Sequence, residues 1–340
     1  MTDKAAVSSA NPKKTRLLCV VGPTASGKSA LAVALAKRLR GEVVSCDSMQ
    51  VYRRMNIGTA KPTREETEGI AHHMIDVAEP SRSFSCAEYV SLASEVIEKI
   101  TARGALPILC GGTGLYLDSL LRGGFSEAEA DPQIRERLFA IARECGNAEL
   151  HRMLEAVDPE SAAAIHENNV KRVVRALEIY ESTGMTKTEA DRRSREAEGP
   201  YNAVVIGLRY PDRELLYSRI EKRVDRMMTD GLLAETRALL AEGIFSENST
   251  AAQAIGYKEL LGVLDGRQSL EAAVEELKTA TRRYAKRQMT WFGAKPYVHW
   301  IDMANGQQMR SPGEILGEAL SVWQNAATTD GSVGMIGGTA

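Results

Sequence analysis

The stretch "VVGPTASGKSAL", residues 20–31, constrains this chain more than any other, because from Gly22 to Ser29 it runs Gly-x-x-x-x-Gly-Lys-Ser. "RLLCVV" reads as a short buried strand and "SALAVALAKRL" as a helix, so the glycines fall at a strand-to-helix turn. The backbone amides of such a turn, added to the positive end of the helix, make an anion site. Gly22, Pro23, Thr24, Ala25, Ser26 and Gly27 would wrap a phosphate, Lys28 would set a point charge on a terminal phosphate, and the Ser29 hydroxyl would ligate Mg²⁺. An ordinary glycine turn before a helix is the weaker reading, since pattern and context agree. The loop does not say which molecule carries the phosphates.

Composition narrows the field. At 340 residues, 44% of them hydrophobic, the chain has room for one large or two modest domains. A net charge of -2 argues against blanket attraction to nucleic acid or to an acidic membrane, so any nucleic-acid site must be a local basic patch. Cys19, Cys46, Cys86, Cys110 and Cys145 are odd in number and form no C-x-x-C pair, which suggests neither a disulfide framework nor a zinc site. Three of them lie in apolar strand-like runs, as suits a reducing cytoplasm. "KKTRLLCVVG" faintly imitates a signal peptide, but its apolar run is short and leads into the phosphate loop, and nothing reaches membrane-spanning length.

Along the chain, "RLLCVV", "EVVSCD", "HHMID", "LPILC", "NAVVIGLRY" and "YVHWID" read as strands that mostly alternate with helices. The expected fold is α/β: a P-loop NTPase-like core with a mostly parallel sheet flanked by helices, over residues 15–124 and 201–324. Residues 125–200 break the alternation with consecutive helices and read as an all-helical insertion; 1–14 and 325–340 read as disordered tails. Asp47 stands just past a strand end, where open α/β sheets keep ligands, and is open to three roles: Mg²⁺ ligand, helix cap or catalytic base. Asp76 in "HHMID" takes a similar place, while His72 and His73 are expected to fix local hydrogen bonds. In "ILCGGTGLYL", Gly111 and Gly112 let backbone and the Thr113 hydroxyl approach a ligand, or simply make a tight turn.

Two basic stretches remain. Lys171, Arg172 and Arg175 share one flank of a helix whose other flank carries Val173, Val174 and Leu177; Arg282, Arg283, Lys286 and Arg287 recur a turn apart beside Tyr284, Trp291 and Phe292. Such runs are usually solvated faces, but with aromatic neighbours they can hold a phosphodiester backbone and stacked bases.

Taken together, "GPTASGKS", "DSMQVYRRMNIGTAKPT", "HHMIDVAEP", "GGTGLYL", "NNVKRVVRALE", "QAIGYKE" and "KRQMTWF" resemble, in order, the motifs of the tRNA dimethylallyltransferases. The resemblance spans about Leu17 to Trp300; Arg54 and Asn56 stand where Gly and Asp are expected. It implies that the loop holds the diphosphate of dimethylallyl diphosphate, with Mg²⁺ near Ser29, and that Arg223, or its rival Arg219 one turn earlier, helps neutralise the leaving group. It implies Asp47 as the base for the exocyclic N6 of the adenosine on the 3′ side of the anticodon, with Thr113 placing base or donor. It implies tRNA contacts at Asp47, Ser48, Met49, Gln50, Thr113, Arg135, Lys171, Arg172, Val173, Val174, Arg175, Gln253, Gly256, Tyr257, Lys258, Lys286, Arg287, Gln288 and Trp291. The insertion would grip one side of the anticodon arm, and "QAIGYKE" and "KRQMTWFG" would line the other. A cytoplasmic monomer is expected. A nucleotide kinase, a pure RNA-binding module and transfer to free AMP, ADP or ATP are the rival readings.

Overall fold

The computed structural model of the chain describes residues 14–123, 131–196, 198–245 and 250–328. The expected tails therefore lie largely outside the described residues. The first half of the α/β part comprises β1 (Thr15–Val21), α1 (Lys28–Leu39), β2 (Gly41–Cys46), α2 (Arg64–Thr67), β3 (His72–His73), α3 (Cys86–Ala102), β4 (Leu106–Gly111) and α4 (Gly114–Leu121). The helices α5 (Pro132–Glu144), α6 (Asn147–Val157), α7 (Pro159–Ala164), α8 (Val170–Thr183) and α9 (Lys187–Glu196) follow. The chain then returns through β5 (Tyr201–Arg209), α10 (Arg213–Thr229), α11 (Leu232–Ala241), α12 (Lys258–Leu264) and α13 (Leu270–Gly293). It ends with β6 (Val298–Asp302), the hairpin β7 (Ala304–Asn305) and β8 (Gln308–Met309), and α14 (Pro312–Thr328).

The main sheet runs β3-β2-β4-β1-β5-β6 and every pairing in it is parallel. A parallel sheet needs helices on both faces, so its strands are apolar on both sides. In β1, Leu17, Cys19 and Val21 join one core cluster, with Tyr89 of α3, Leu117 of α4 and Phe292 of α13. Leu18 and Val20 join the other, with Leu31 and Leu35 of α1 and Ile315 and Trp323 of α14. That strict alternation is the two-residue period of a strand buried on both faces. Val21 pairs with Gly111 and Cys46 with Gly111, so β1, β2 and β4 end level, while β5, whose Gly207 pairs with Val21, runs two residues further to Arg209. The loops that leave these four strands emerge at one carboxyl edge, where the order switches direction about β1.

Two expectations are corrected. "HHMID" is a strand only at His72 and His73, because Met74 (φ 61°) and Asp76 (φ 56°) are left-handed and turn the chain away; Asp76 is not a strand-end acid. The tail does not begin at residue 325: α14 continues to Thr328, its stripe of Ile315, Ala319 and Trp323 being buried on the sheet, with Trp323 beneath the Arg16 guanidinium at 4.2 Å.

Arg122–Gly199 forms a separate compact unit, all-helical among its described residues. Its core is Leu138, Leu150, Leu154, Val173, Val174 and Leu177. Asp158 holds three of its helices. It ends α6, accepts from Ser161 N–H at the start of α7 (3.1 Å), and accepts from the Thr188 amide (3.0 Å) and hydroxyl (2.6 Å) in α9. Burial alone would raise its pKa, but the bonds from Thr188 and Ser161 hold it below the usual value. Asp158→Ala is expected to destabilise this unit by about 2 kcal/mol, the loss of a cap plus stranded amides. Urea unfolding followed by far-ultraviolet circular dichroism measures it. Since folding lowers the pKa, the contribution is complete above the ordinary aspartate value of about 4 and fades as pH falls through the lower folded value.

Candidate active site

The phosphate loop is shaped by backbone that few residues tolerate. Gly22 has φ 139°, and a Cβ there would stand 2.7 Å from the Leu208 carbonyl oxygen. Ala25 is left-handed at φ 62°, and Gly27, at φ 96°, is the N-cap of α1 with no side-chain cap bond. The first-turn amides of α1 therefore open toward the loop, and no acidic residue occupies that turn.

Two cations stand over this loop. Lys28 is half-buried and donates from Nζ to the Pro23 carbonyl at 2.8 Å. Burial lowers its pKa to about 8; the neighbouring Cys110 thiol opposes that shift, the Arg223 charge adds to it and the Asp47 carboxylate opposes it. Arg223, from α10, is also half-buried and makes no hydrogen bond with any described residue. Burial lowers its pKa, and Asp47 and then Glu66 counter the shift. Arg219 differs: its Nε donates to the Ala25 carbonyl at 2.8 Å, bracing the left-handed residue of the loop, and its guanidinium lies 6.0 Å from the Tyr210 ring. Ser29 is exposed at the head of α1 and hydrogen-bonded to the Cys110 thiol, whose pKa burial raises to about 11. The described residues hold no cluster of three or more His, Cys, Asp or Glu side chains that could cage a metal ion.

Asp47 leaves the end of β2. Its Oδ1 accepts from the Met49 amide at 2.9 Å and the Gln50 amide at 3.3 Å, so a capping role is present; Oδ2 has no hydrogen-bond partner among the described residues. The turn is tied to the one after β4: the Thr113 amide donates to Cys46 O, and Thr113 Oγ1 accepts from the Ser48 amide at 3.0 Å. Tyr284 of α13 hydrogen-bonds Thr113, and its hydroxyl pKa is pushed up by burial and by Asp47. Sequence reading noted Tyr284 only as an aromatic neighbour and gave Gln288 to RNA. Gln288 is buried, its carboxamide accepting from the Thr24 amide and donating to the Gly112 carbonyl. The signal lay in the spacing, since Tyr284, Gln288 and Trp291 recur at i, i+4 and i+7 on one face of α13.

Several other residues expected at the RNA have internal partners, and others are exposed. Gln50 accepts from Ser45 Oγ and donates to the Thr59 and Ala60 carbonyls. Tyr257 is fully buried with its hydroxyl on Glu235 at 2.6 Å, and that carboxylate caps the amides of Asn56, Ile57 and Gly58. Met49 packs against the core. Val173 and Val174 lie in the helical unit's core, and Arg135 and Arg175 both pair with the buried Glu178. Lys171 and Arg172 are exposed, as are Lys286, Arg287 and Trp291 of α13 and Lys258 at the head of α12. Gly256, at φ 108°, donates its amide to Glu259, and Gln253 closes a short 3-10 turn. Lys258, Glu259, Arg283 and Arg287 line a cleft of about 540 Å³ between α12 and α13. Asp76 is taken by Lys61 at 2.5 Å, and His73 by Glu42 at 2.6 Å. Arg54 occupies a left-handed position (φ 65°), which is why glycine suits it, and pairs there with Glu242 and Glu79.

The arrangement can hold a polyphosphate chain against a carboxylate. The family model described as IPP transferase matches residues 50–295, which begins after the phosphate loop. A tRNA dimethylallyltransferase of Halalkalibacterium halodurans is 50% identical over 86% of this chain and 92% of its own length. One of Bacillus velezensis is 52% identical over the same shares. The crystal structure of a full-length tRNA isopentenylpyrophosphate transferase from Bacillus halodurans matches at 44% identity with TM-score 0.68, covering 94% of this chain and 100% of that one. A eukaryotic dimethylallyltransferase acting on tRNA matches at 29% identity with TM-score 0.79, over 93% and 80%. With the family model matched over most of its length and relatives about half identical across 86% of it, this chain belongs to the IPP transferase family.

Proposed function

We propose that the chain transfers the dimethylallyl group from dimethylallyl diphosphate to the exocyclic N6 of the adenosine on the 3′ side of the anticodon in tRNA. The products are N6-isopentenyladenosine and diphosphate. The observation that carries this reading is the meeting of two half-buried cations, Lys28 and Arg223, with the carboxylate of Asp47 beside one phosphate loop. Cations there suit a leaving diphosphate, and a carboxylate suits an attacking amine.

The bond from the allylic carbon to the diphosphate oxygen breaks as negative charge grows on that oxygen. The α1 amides, Lys28 and Arg223 are fixed donors for that charge. Arg223 makes no hydrogen bond with any described residue, whereas Arg219 donates to the loop itself. With no caging cluster of side chains among the described residues, Mg²⁺ would be held by Ser29 Oγ and chiefly by diphosphate oxygens and water, the usual manner for this ion. It would supply further neutralisation of the leaving group. The N6 lone pair forms the new C–N bond, and Asp47, through Oδ2, takes the proton. Lys171 and Arg172 on the helical unit, and Lys258, Lys286, Arg287 and Trp291 in the other, would bind the RNA through phosphates and stacking. Arg135, Arg175, Val173, Val174, Gln50 and Tyr257 would act by shaping these surfaces. A nucleotide kinase would share the loop but has no use for Tyr284 and Trp291 on the face of α13 that meets Thr113 and Gly114.

Asp47→Asn keeps Oδ1 as acceptor for the Met49 and Gln50 amides, so folding and both affinities should persist. An amide cannot take the N6 proton, and single-turnover transfer of labelled prenyl group to tRNA should slow by ~10²-fold or more. Transfer near the parent rate would remove Asp47 from the chemistry. Lys28 makes a pH prediction. In the free loop its ammonium is present below about 8 and lost above, while bound diphosphate holds the proton on. Donor affinity should therefore fall as pH rises beyond about 8, by up to about tenfold per pH unit, and Lys28→Arg should flatten the profile in titration calorimetry.

A further inference from the structure

Gln288 stands between the phosphate loop and the turn that follows β4. It is 5% exposed; Oε1 accepts from the Thr24 amide at 2.8 Å and Nε2 donates to the Gly112 carbonyl at 3.0 Å. Thr24 is in the phosphate loop. Gly112 precedes Thr113, whose Oγ1 receives the Ser48 amide next to Asp47. One carboxamide thus joins the donor loop to the turn beside the base. The space is shaped around it, for a Cβ on Gly112 would stand 2.0 Å from Nε2. The β1–β4 ladder cannot do this work, because its last pair is Val21 with Gly111 and both Thr24 and Gly112 lie beyond it. One turn before Gln288, Tyr284 reaches Thr113 from the same helix, so α13 grips the acceptor-side turn twice.

We propose that Gln288 is a positioning residue that sets the separation between the diphosphate held by the loop and the Asp47 carboxylate. The inference rests on the prenyl-transfer reading above. Attack on the allylic carbon requires the amine, the carbon and the base to line up within about 3–3.5 Å contacts, and a ~1 Å error costs on the order of 100-fold in rate. A side chain that registers the two loops therefore governs the rate once both substrates are bound, more than it governs their binding.

The test uses the full chain, labelled dimethylallyl diphosphate, Mg²⁺ and an anticodon stem-loop RNA. Gln288→Met keeps the length and removes both hydrogen bonds. Its single-turnover rate at saturation should drop roughly 10- to 100-fold, with dissociation constants for donor and RNA each within about threefold of the parent. Gln288→Glu adds a readout that a packing role would not move. Its neutral carboxyl can still accept from Thr24 and donate to Gly112, whereas the ionised form cannot donate. The ratio of variant to parent rate, taken at each pH, should therefore rise as pH falls. If the methionine variant loses its melting transition, that ratio decides alone. Parent-like rates, a rate at saturation that is unchanged while donor affinity is lost, or a ratio flat with pH would overturn the proposal. A parent enzyme that transfers no prenyl group to the RNA would overturn the prenyl-transfer reading instead.

Discussion

Everything in this site turns on cationic charge kept half-buried beside a phosphate loop. Lys28 and Arg223 each have their charged form disfavoured by burial; Arg223 further disfavours charge on Lys28, and Asp47 steadies both. Desolvated like charges close together are unfavourable unless an anion joins them. The loop provides the frame for that anion through left-handed backbone at Ala25 and Gly27 and through a Gly22 that has no room for a Cβ. The sheet in turn provides the frame for the loop, since β1, β2 and β4 end level and deliver Lys28, Asp47 and Thr113 to one edge, to which β5, two residues longer, brings α10 with Arg223. A diphosphate leaving group meets those demands, because it brings its negative charge to the cations and gathers more as it departs.

The second constraint is registration. Loops past the end of a parallel ladder are free to drift relative to one another, and here side chains stop them. Gln288 joins Thr24 to Gly112, Thr113 joins Ser48, and Asp47 Oδ1 fixes its own turn. Farther out, Glu235 caps three successive amides of the Asn56–Gly58 loop while holding Tyr257, and Lys61 is drawn onto Tyr52 O and Asp76. Many motif residues are thus tied to one another around the site.

Much of the fold was legible in the sequence because its signals are local. Five of the six strands stand where short apolar runs stand between helices, and the helical unit where such runs stop. "HHMID" misled because its apolar content says nothing of the left-handed turns at Met74 and Asp76. The end of α14 misled because Asn, Ala and Thr look like tail, while the burial of Trp323 that sustains the helix is tertiary. At the site, the loop and Asp47 were legible as spacing and position. The internal use of Gln50, Tyr257, Arg175 and Gln288 was not, because a polar side chain's partner is set by chain segments as distant as Thr24 is from Gln288. Arg54 shows the converse: its departure from glycine was visible, but its meaning required the φ of 65° and the partners Glu242 and Glu79.

The central claim is that cations and carboxylate at this edge serve prenyl transfer to an RNA adenine. The most direct measurement gives the chain dimethylallyl diphosphate and Mg²⁺ with either an anticodon stem-loop RNA or free AMP, ADP and ATP, and identifies the products by nucleoside mass spectrometry. The account predicts N6-isopentenyladenosine in the RNA at the position 3′ of the anticodon, matched by released diphosphate. Prenylation of the free nucleotides alone, or ATP turnover without any prenylated adenine, would contradict it.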